Sequence, residues 1–236
     1  MTEPLVFLTG LMCDARVFSA QFLDLSSDRA VTVAPTSMGE RVEQIASDLL
    51  GQLPRRFALA GHSMGAIIAM EIYRRAPDRV ARLCLISTDS FADTPQIAAA
   101  REPLIVGARS GRLDEVMREA LPPEVLAEGP LRAEIYEFIH AMSARQGPEV
   151  FVRQMRALQR RPDQQATLRK ISVPTLVLCG AQDTLTPVKR HVFMSELIPT
   201  ATLRILEDAG HFPMLEAPAA VTEALRDWLA IPQNPA

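Results

Sequence analysis

The stretch that most constrains this chain runs Phe57-Ala58-Leu59-Ala60-Gly61-His62-Ser63-Met64-Gly65-Ala66-Ile67-Ile68-Ala69-Met70. It begins as a short apolar run, passes through a Gly-x-Ser-x-Gly turn and continues with the apolar spacing of an amphipathic helix, so it reads as strand, turn and helix. So tight a turn strains the backbone of Ser63, and a Cβ at Gly61 or Gly65 would strike the neighbouring strand or helix. A helix that starts just after Ser63 aims its free N–H groups and the positive end of its dipole at the serine hydroxyl. Glycine-flanked serines also occur in ordinary strand-to-helix loops. The strand before this one and the helix after it are what set it apart.

Around that stretch the chain alternates. Leu5-Val6-Phe7-Leu8 is a continuous apolar run, as expected of a strand buried on both faces. The loop Thr9-Gly10-Leu11-Met12-Cys13-Asp14 follows, then a helix expected over residues 17–25. Val31-Thr32-Val33 gives a second strand, stopped by Pro35. Residues 42–53 place Val42, Ile45, Ala46, Leu49, Leu50 and Leu53 on one helical face, with Pro54 at the end. Ala76-Pro77-Asp78 closes the helix after Ser63, and residues 80–87 form the next strand. Strands and helices joined by short connections predict an α/β fold, a mostly parallel sheet of about six strands with helices on both faces.

Residues 89–161 break this rhythm. They show helical periodicity, no strand, and prolines at 95, 103, 122, 123, 130 and 148 that cut the segment into short helices. A structureless loop of that length would be out of place, so a helical insertion is expected. Its ten arginines, Arg101 to Arg161, read as solvated helix faces, with one or two reaching inward to an anionic group as the sharper alternative. Its apolar residues Leu104, Ile105, Val106, Ile135, Phe138, Ile139, Met142, Phe151 and Met155 are expected to pack on the sheet or line a cavity above Ser63.

The sheet resumes at residues 173–180, which lead into Ala181-Gln182-Asp183-Thr184-Leu185-Thr186-Pro187. Pro187 in a first helical turn, capped by Thr186, would start a helix running to Leu197. Ala201-Thr202-Leu203-Arg204-Ile205-Leu206 is a last strand, followed by Glu207-Asp208-Ala209-Gly210-His211-Phe212-Pro213 and a terminal helix over residues 219–229. The tail from Ile231 to Ala236 is expected to be loosely held.

Composition excludes several roles. A net charge of −3 leaves no excess of Lys and Arg for phosphates, so nucleic acid is not an expected partner. Cys13, Cys84 and Cys179 are odd in number and far apart, with neither a disulfide framework nor metal-ligand spacing. No motif calls for a cofactor or a metal. Met1-Thr2-Glu3-Pro4 lacks the basic start and apolar core of a signal peptide, and no apolar run reaches membrane-span length. The expected setting is a reducing cytoplasm and the expected partner a small-molecule substrate, with homo-oligomerisation left open.

Three pieces together, Gly61-His62-Ser63-Met64-Gly65, the segment 179–187 and Glu207-Asp208-Ala209-Gly210-His211-Phe212, resemble the α/β-hydrolases over almost the whole chain. Each lies at the C-terminal end of an expected strand, in the family order of serine, acid, histidine. The resemblance implies an α/β-hydrolase core at 1–88 and 162–236, one structural domain with a helical lid inserted at 89–161. It implies Ser63 as nucleophile, His211 as its base and Asp183 as the acid that orients His211, with Asp89 after the preceding strand as the rival acid. His62 should diverge from the serine hydroxyl, and His62, His140 and His191 read as surface or packing residues. The implied oxyanion hole uses the backbone N–H of Met64 and, from the loop after the first strand, of Leu11.

The chain departs from the commonest pattern in carrying Thr9-Gly10 where many members have His-Gly, Ala66 where a second glycine often follows the elbow, and no N-terminal strand pair before Leu5. The leading expectation is a carboxylic ester, or a thioester or lactone, and the apolar residues of the insertion point to a small or medium, largely apolar acyl group. Other triad chemistry, such as C–C bond hydrolysis or perhydrolysis, and a ligand-binding or signalling protein with little turnover are the alternatives.

Overall fold

Apolar continuity decides where each strand sits in the sheet. The computed structural model describes residues 3–232; Met1, Thr2 and the end of the tail, Gln233 to Ala236, lie outside the described residues. Four strands are buried along their whole length: β1 (Leu5–Leu8), β3 (Phe57–His62), β4 (Val80–Ile86) and β5 (Thr175–Gly180). The other two, β2 (Val31–Ala34) and β6 (Ala201–Leu206), alternate between covered and exposed residues. The uninterrupted apolar runs are central and the mixed ones are edges, in the order β2-β1-β3-β4-β5-β6. All five pairings are parallel, so a mostly parallel expectation resolves to a fully parallel one.

From β1 the chain steps to β2 on one side, and then β3 returns to pair with the other side of β1. The strand order therefore reverses at β1, and the crevice beyond the carboxyl ends of β1 and β3 is where such sheets place a ligand. Leu8 stands opposite Gly61, so the loop after β1 and the turn at Ser63 emerge side by side.

The helices α1 (Ser19–Leu25) and α11 (Pro218–Ala230) pack together, as do α2 (Val42–Leu50) and α3 (Met64–Arg75). Right-handed crossovers running in opposite directions from β1 place these two groups on opposite faces. Between β4 and β5 come α4 (Pro95–Arg109), α5 (Leu113–Ala120), α6 (Arg132–Gln146), α7 (Pro148–Gln159) and the short α8 (Gln165–Leu168). After β5 follow α9 (Val188–Leu197) and the single turn α10 (Pro213–Glu216).

Several expected boundaries move for local reasons. The helix expected over 17–25 splits into a tight turn at Ala15–Phe18, whose first N–H groups are capped by Asp14, and then α1. The helix expected over 42–53 stops at Leu50, because the Leu49 carbonyl takes the N–H groups of both Gln52 and Leu53 in a closing turn. The strand expected from Val173 starts at Thr175, since Pro174 has no N–H to give the ladder. Among the described residues no helix is long and apolar enough to cross a membrane.

Candidate active site

Ser63 is the hinge between β3 and α3, with φ 52° and ψ −116°, a left-handed conformation that a residue with a side chain adopts only under constraint. The constraint comes from packing. A Cβ on Gly65 would overlap the carbonyls of Leu8 and Thr9, and one on Gly61 would overlap the first turn of α3. The Ser63 N–H donates to the Ile86 carbonyl at 2.8 Å, tying the turn to β4. The Ser63 carbonyl accepts from the Thr88 hydroxyl at 3.1 Å. Thr88 is held in turn by His191, whose Nε2 accepts the Thr88 N–H at 2.9 Å. That bond requires an unprotonated Nε2, and burial pushes the His191 pKa down to about 4.

The loop after β5 brings in Asp183, whose side chain is fully buried. Its Oδ1 accepts the N–H groups of Leu185 and Thr186 at 2.9 and 2.8 Å. Its Oδ2 takes the Thr186 hydroxyl at 2.6 Å and His211 Nδ1 at 2.8 Å. Burial works to raise this carboxyl's pKa; the charge and hydrogen bond of His211 and the two Thr186 donors outweigh it, and the net direction is down. An acceptor at Nδ1 fixes the proton there, so Nε2 faces Ser63 Oγ, 3.0 Å away, as the acceptor for its proton. Ser63, His211 and Asp183, which the sequence placed on three separate loops, are thus joined in one chain of hydrogen bonds. Asp89 is not part of it: Oδ1 accepts the Phe91 N–H at 3.1 Å and Arg161 at 3.2 Å.

Four side chains that sequence reasoning did not assign complete the support. Thr186, expected as the cap of α9, caps nothing; Pro187 takes an extended ψ of 153°, α9 starts after it, and the threonine hydroxyl is committed to Asp183. The Asp-x-x-Thr spacing of a side-chain turn was the available signal. His62 does diverge from the Ser63 hydroxyl, as expected, but it is buried and its Nε2–H donates to the His211 carbonyl at 2.8 Å. Burial, then repulsion from His211, pushes its pKa down to about 3. Glu216 accepts the N–H groups on either side of His211, Gly210 at 3.0 Å and Phe212 at 2.8 Å, and that of Ala127 at 2.6 Å. The fourth is Gln154 of α7, whose Oε1 accepts the Met12 N–H at 2.8 Å. His140 belongs to α6, buried against Tyr136.

Leu11 shares with Ser63 the wall of a cavity of about 540 Å³, and Met64 is the first residue of α3. The N–H groups of Leu11 and Met64 have no partner among the described residues. Ile67, Leu104, Leu121, Met155 and Leu158 line the cavity. Of the apolar insertion residues singled out from the sequence, Leu104 and Met155 reach it; Ile105, Ile139, Met142 and Phe151 are buried in packing, and Val106 faces solvent. Two arginines turn inward, Arg101 and Arg161, and each meets an aspartate. Arg101 binds Asp93 at 2.5 Å, and Arg161 reaches Asp93 at 3.1 Å and Asp89 at 3.2 Å. These two arginines are neutralised by the aspartates, while Lys189 and Arg190 of α9 also line the cavity.

The family follows from the fold, and comparison agrees: a profile of the alpha/beta hydrolase family matches residues 5–224. The chain belongs to the alpha/beta hydrolase family. Among alpha/beta hydrolases, it is 27% identical over 206 residues to the pimeloyl-(acyl-carrier protein) methyl ester esterase of Aromatoleum aromaticum, covering 80% of each chain. A thermophilic esterase from Thermogutta terrifontis, solved with malate bound, superposes with a TM-score of 0.88 at 28% identity, over 96% of this chain and 89% of that one. The enol-lactonase from Burkholderia xenovorans LB400 shares the fold at 22% identity, with a TM-score of 0.85 over 98% and 92% of the two chains. The enzyme's hydrolase fold is therefore established.

Proposed function

We propose that this enzyme is a serine hydrolase that cleaves a carboxylic ester of a small, largely apolar acyl group through an acyl-enzyme. The observation that carries the reading is the unbroken run Asp183–His211–Ser63 opening into a cavity lined by Ile67, Leu104, Leu121, Met155 and Leu158 together with a charged stretch of wall. His211 takes the Ser63 proton as Oγ attacks the ester carbonyl, and Asp183 stabilises the imidazolium that results. The carbonyl oxygen gains negative charge and is met by the N–H groups of Met64 and Leu11, backbone donors with no other partner among the described residues. His211 then returns its proton to the departing alcohol. Water, deprotonated by the same ring, releases the acid and regenerates Ser63.

In this reading residues 89–161 form the lid over a core of 1–88 and 162–236. Leu104, Met155 and Leu158 of the lid bound the acyl group. The esterase names of relatives near 27% identity support the ester class and leave the alcohol and acyl partners to experiment. The deciding test is fluorophosphonate labelling with the modified residue mapped, followed by p-nitrophenyl esters of rising acyl length. Label on Ser63 and turnover of short to medium esters are expected; an unlabelled Ser63 would end this reading.

A further inference from the structure

We propose that Gln154, carried on the inserted helix α7, is a positioning residue for the oxyanion loop, fixing the aim of the Leu11 N–H through the peptide next to it. The inference rests on the assignment of Leu11 to the oxyanion hole made above.

Gln154 is fully buried and bonds to none of Ser63, His211 or Asp183. Its partners are all on the first two strand loops. Oε1 accepts the Met12 N–H at 2.8 Å, and Nε2 donates to Thr36 Oγ1 at 3.3 Å. The Thr36 hydroxyl goes on to the Thr9 carbonyl at 3.3 Å. Because the Met12 N–H can only donate, the amide orientation is fixed, with oxygen toward the loop. Met12 itself has a φ of 53°, which a residue with a side chain does not hold without help.

The loop is pinned at several neighbouring groups. The Gly10 carbonyl accepts from the Cys13 N–H at 3.2 Å, and the Cys13 thiol reaches the Leu11 carbonyl at 3.3 Å. Gln146, the last residue of α6, donates to the Cys13 carbonyl at 2.8 Å. A Cβ on Gly10 would overlap the His62 ring, so the loop has no room to shift on that side. With these groups spent, the Leu11 N–H is left without a partner among the described residues, on a residue that lines the cavity. Thr9 starts this loop, and the loop's support arrives from the insertion, through Gln146 and Gln154. The two glutamines flank Gly147, which turns the chain from α6 into α7 with φ 79°. One helix thus sets the acyl wall with Met155 and Leu158 and the oxyanion loop with Gln154.

The test uses two variants of the full chain. Gln154→Met keeps the volume and removes both hydrogen bonds. Gln154→Glu keeps the shape, and its protonated carboxyl can accept from Met12 and donate to Thr36 as the amide does. Each is assayed for kcat and KM on an ester that the wild type turns over, and for affinity to an alkyl trifluoromethyl ketone, which adds to the serine and forms a tetrahedral oxyanion. For Gln154→Met, kcat should fall about tenfold to a hundredfold with KM nearly unchanged, and ketone affinity should fall in step with kcat/KM. For Gln154→Glu, activity relative to wild type should rise as pH is lowered; taking the ratio cancels pH effects that the two proteins share.

An unchanged kcat in Gln154→Met, or a loss shared by KM and melting temperature with ketone affinity intact, would reduce Gln154 to a packing residue. If Gln154→Met does not fold, the Gln154→Glu ratio decides, and a flat ratio overturns the inference. Failure to label wild-type Ser63 would remove the nucleophile assignment first, and this inference with it.

Discussion

The two sides of the cavity are built on different physical principles. On the sheet side the strands are continuous apolar runs, and the loops they project carry Ser63, Asp183 and His211. On the insertion side, amphipathic helices are laced by ion pairs such as Arg101–Asp93, Arg156–Glu102 and Arg118–Asp114. Arg101–Asp93 is largely buried, whereas an exposed pair such as Arg118–Asp114 adds little because water screens it. A fully buried strand residue is worth more, about 1.5–3 kcal/mol for a Val, Leu, Ile or Phe side chain. The difference suggests a division of labour. The sheet holds reacting atoms at fixed positions, and the insertion shapes what may reach them while steadying the loops from above.

The comparison breaks first at the nucleophile. Ser63→Ala should abolish labelling and lower ester turnover by roughly three to six orders of magnitude, with the fold retained, because the elbow is held by Gly61 and Gly65. A variant with more than a tenth of wild-type activity would put the chemistry elsewhere. Next come the two acids, one on each side. Asp183→Asn on the sheet side should cost on the order of 10⁴ in kcat by mis-setting the His211 tautomer. Asp89→Asn, whose carboxylate faces Arg161 of the insertion, should cost less than about tenfold. The reverse ranking would relocate the acid.

The insertion should reveal itself in selectivity. As the acyl chain lengthens, kcat/KM should rise roughly fourfold per carbon until the cavity is full and then fall, from ~0.8 kcal/mol per buried CH₂. Met155→Ala should move the peak to longer chains without changing the labelling of Ser63 by a small probe. A flat profile in both proteins would deny the insertion its selective role.

The smallest expected effect concerns pH. His62 and His191, on the sheet side, have pKa values pushed down to about 3 and about 4 from the ordinary 6.5. Both rings stay neutral when folded and take up protons when the chain unfolds, so stability falls as pH drops from 6.5 toward 4. Asp183, also lowered, acts in the same direction further down the scale. The melting temperature should therefore decline between pH 7 and pH 5. His191→Gln should flatten that slope more than His140→Gln in the insertion. Equal flattening would erase the contrast between the two sides.

The legible part of this molecule is what strand ends advertise. Ser63, Asp183 and His211 each follow an apolar run, so type, position and order could be read together. Thr186, His62, Glu216 and Gln154 could not be found that way. Gln154 and Met12 are 142 residues apart, and Glu216 acts through backbone groups of Gly210, Phe212 and Ala127. Nothing in a single sequence marks a buried amide as the partner of a distant N–H. Thr186 reads as a cap from sequence because a threonine before a proline suits both roles, and only the nearby carboxylate decides between them. Arg101 and Arg161 were legible as arginines but not as neutralised ones, since Asp93 lies eight residues from the first and far from the second.

The insertion also touches the histidine loop, where the His211 N–H donates to the Val125 carbonyl at 2.7 Å. The sheet can form from contacts between neighbouring strands, but this bond, the Ala127–Glu216 bond and the Gln154 clamp wait until the inserted helices have docked. The machinery should therefore be the last thing the chain assembles and the first it loses. On rising denaturant, turnover would disappear while the sheet still protects its amides from exchange, a local opening well below the global free energy. A cell holding this enzyme near its limit would then keep a population that is folded by every bulk measure and yet idle, recoverable by redocking alone.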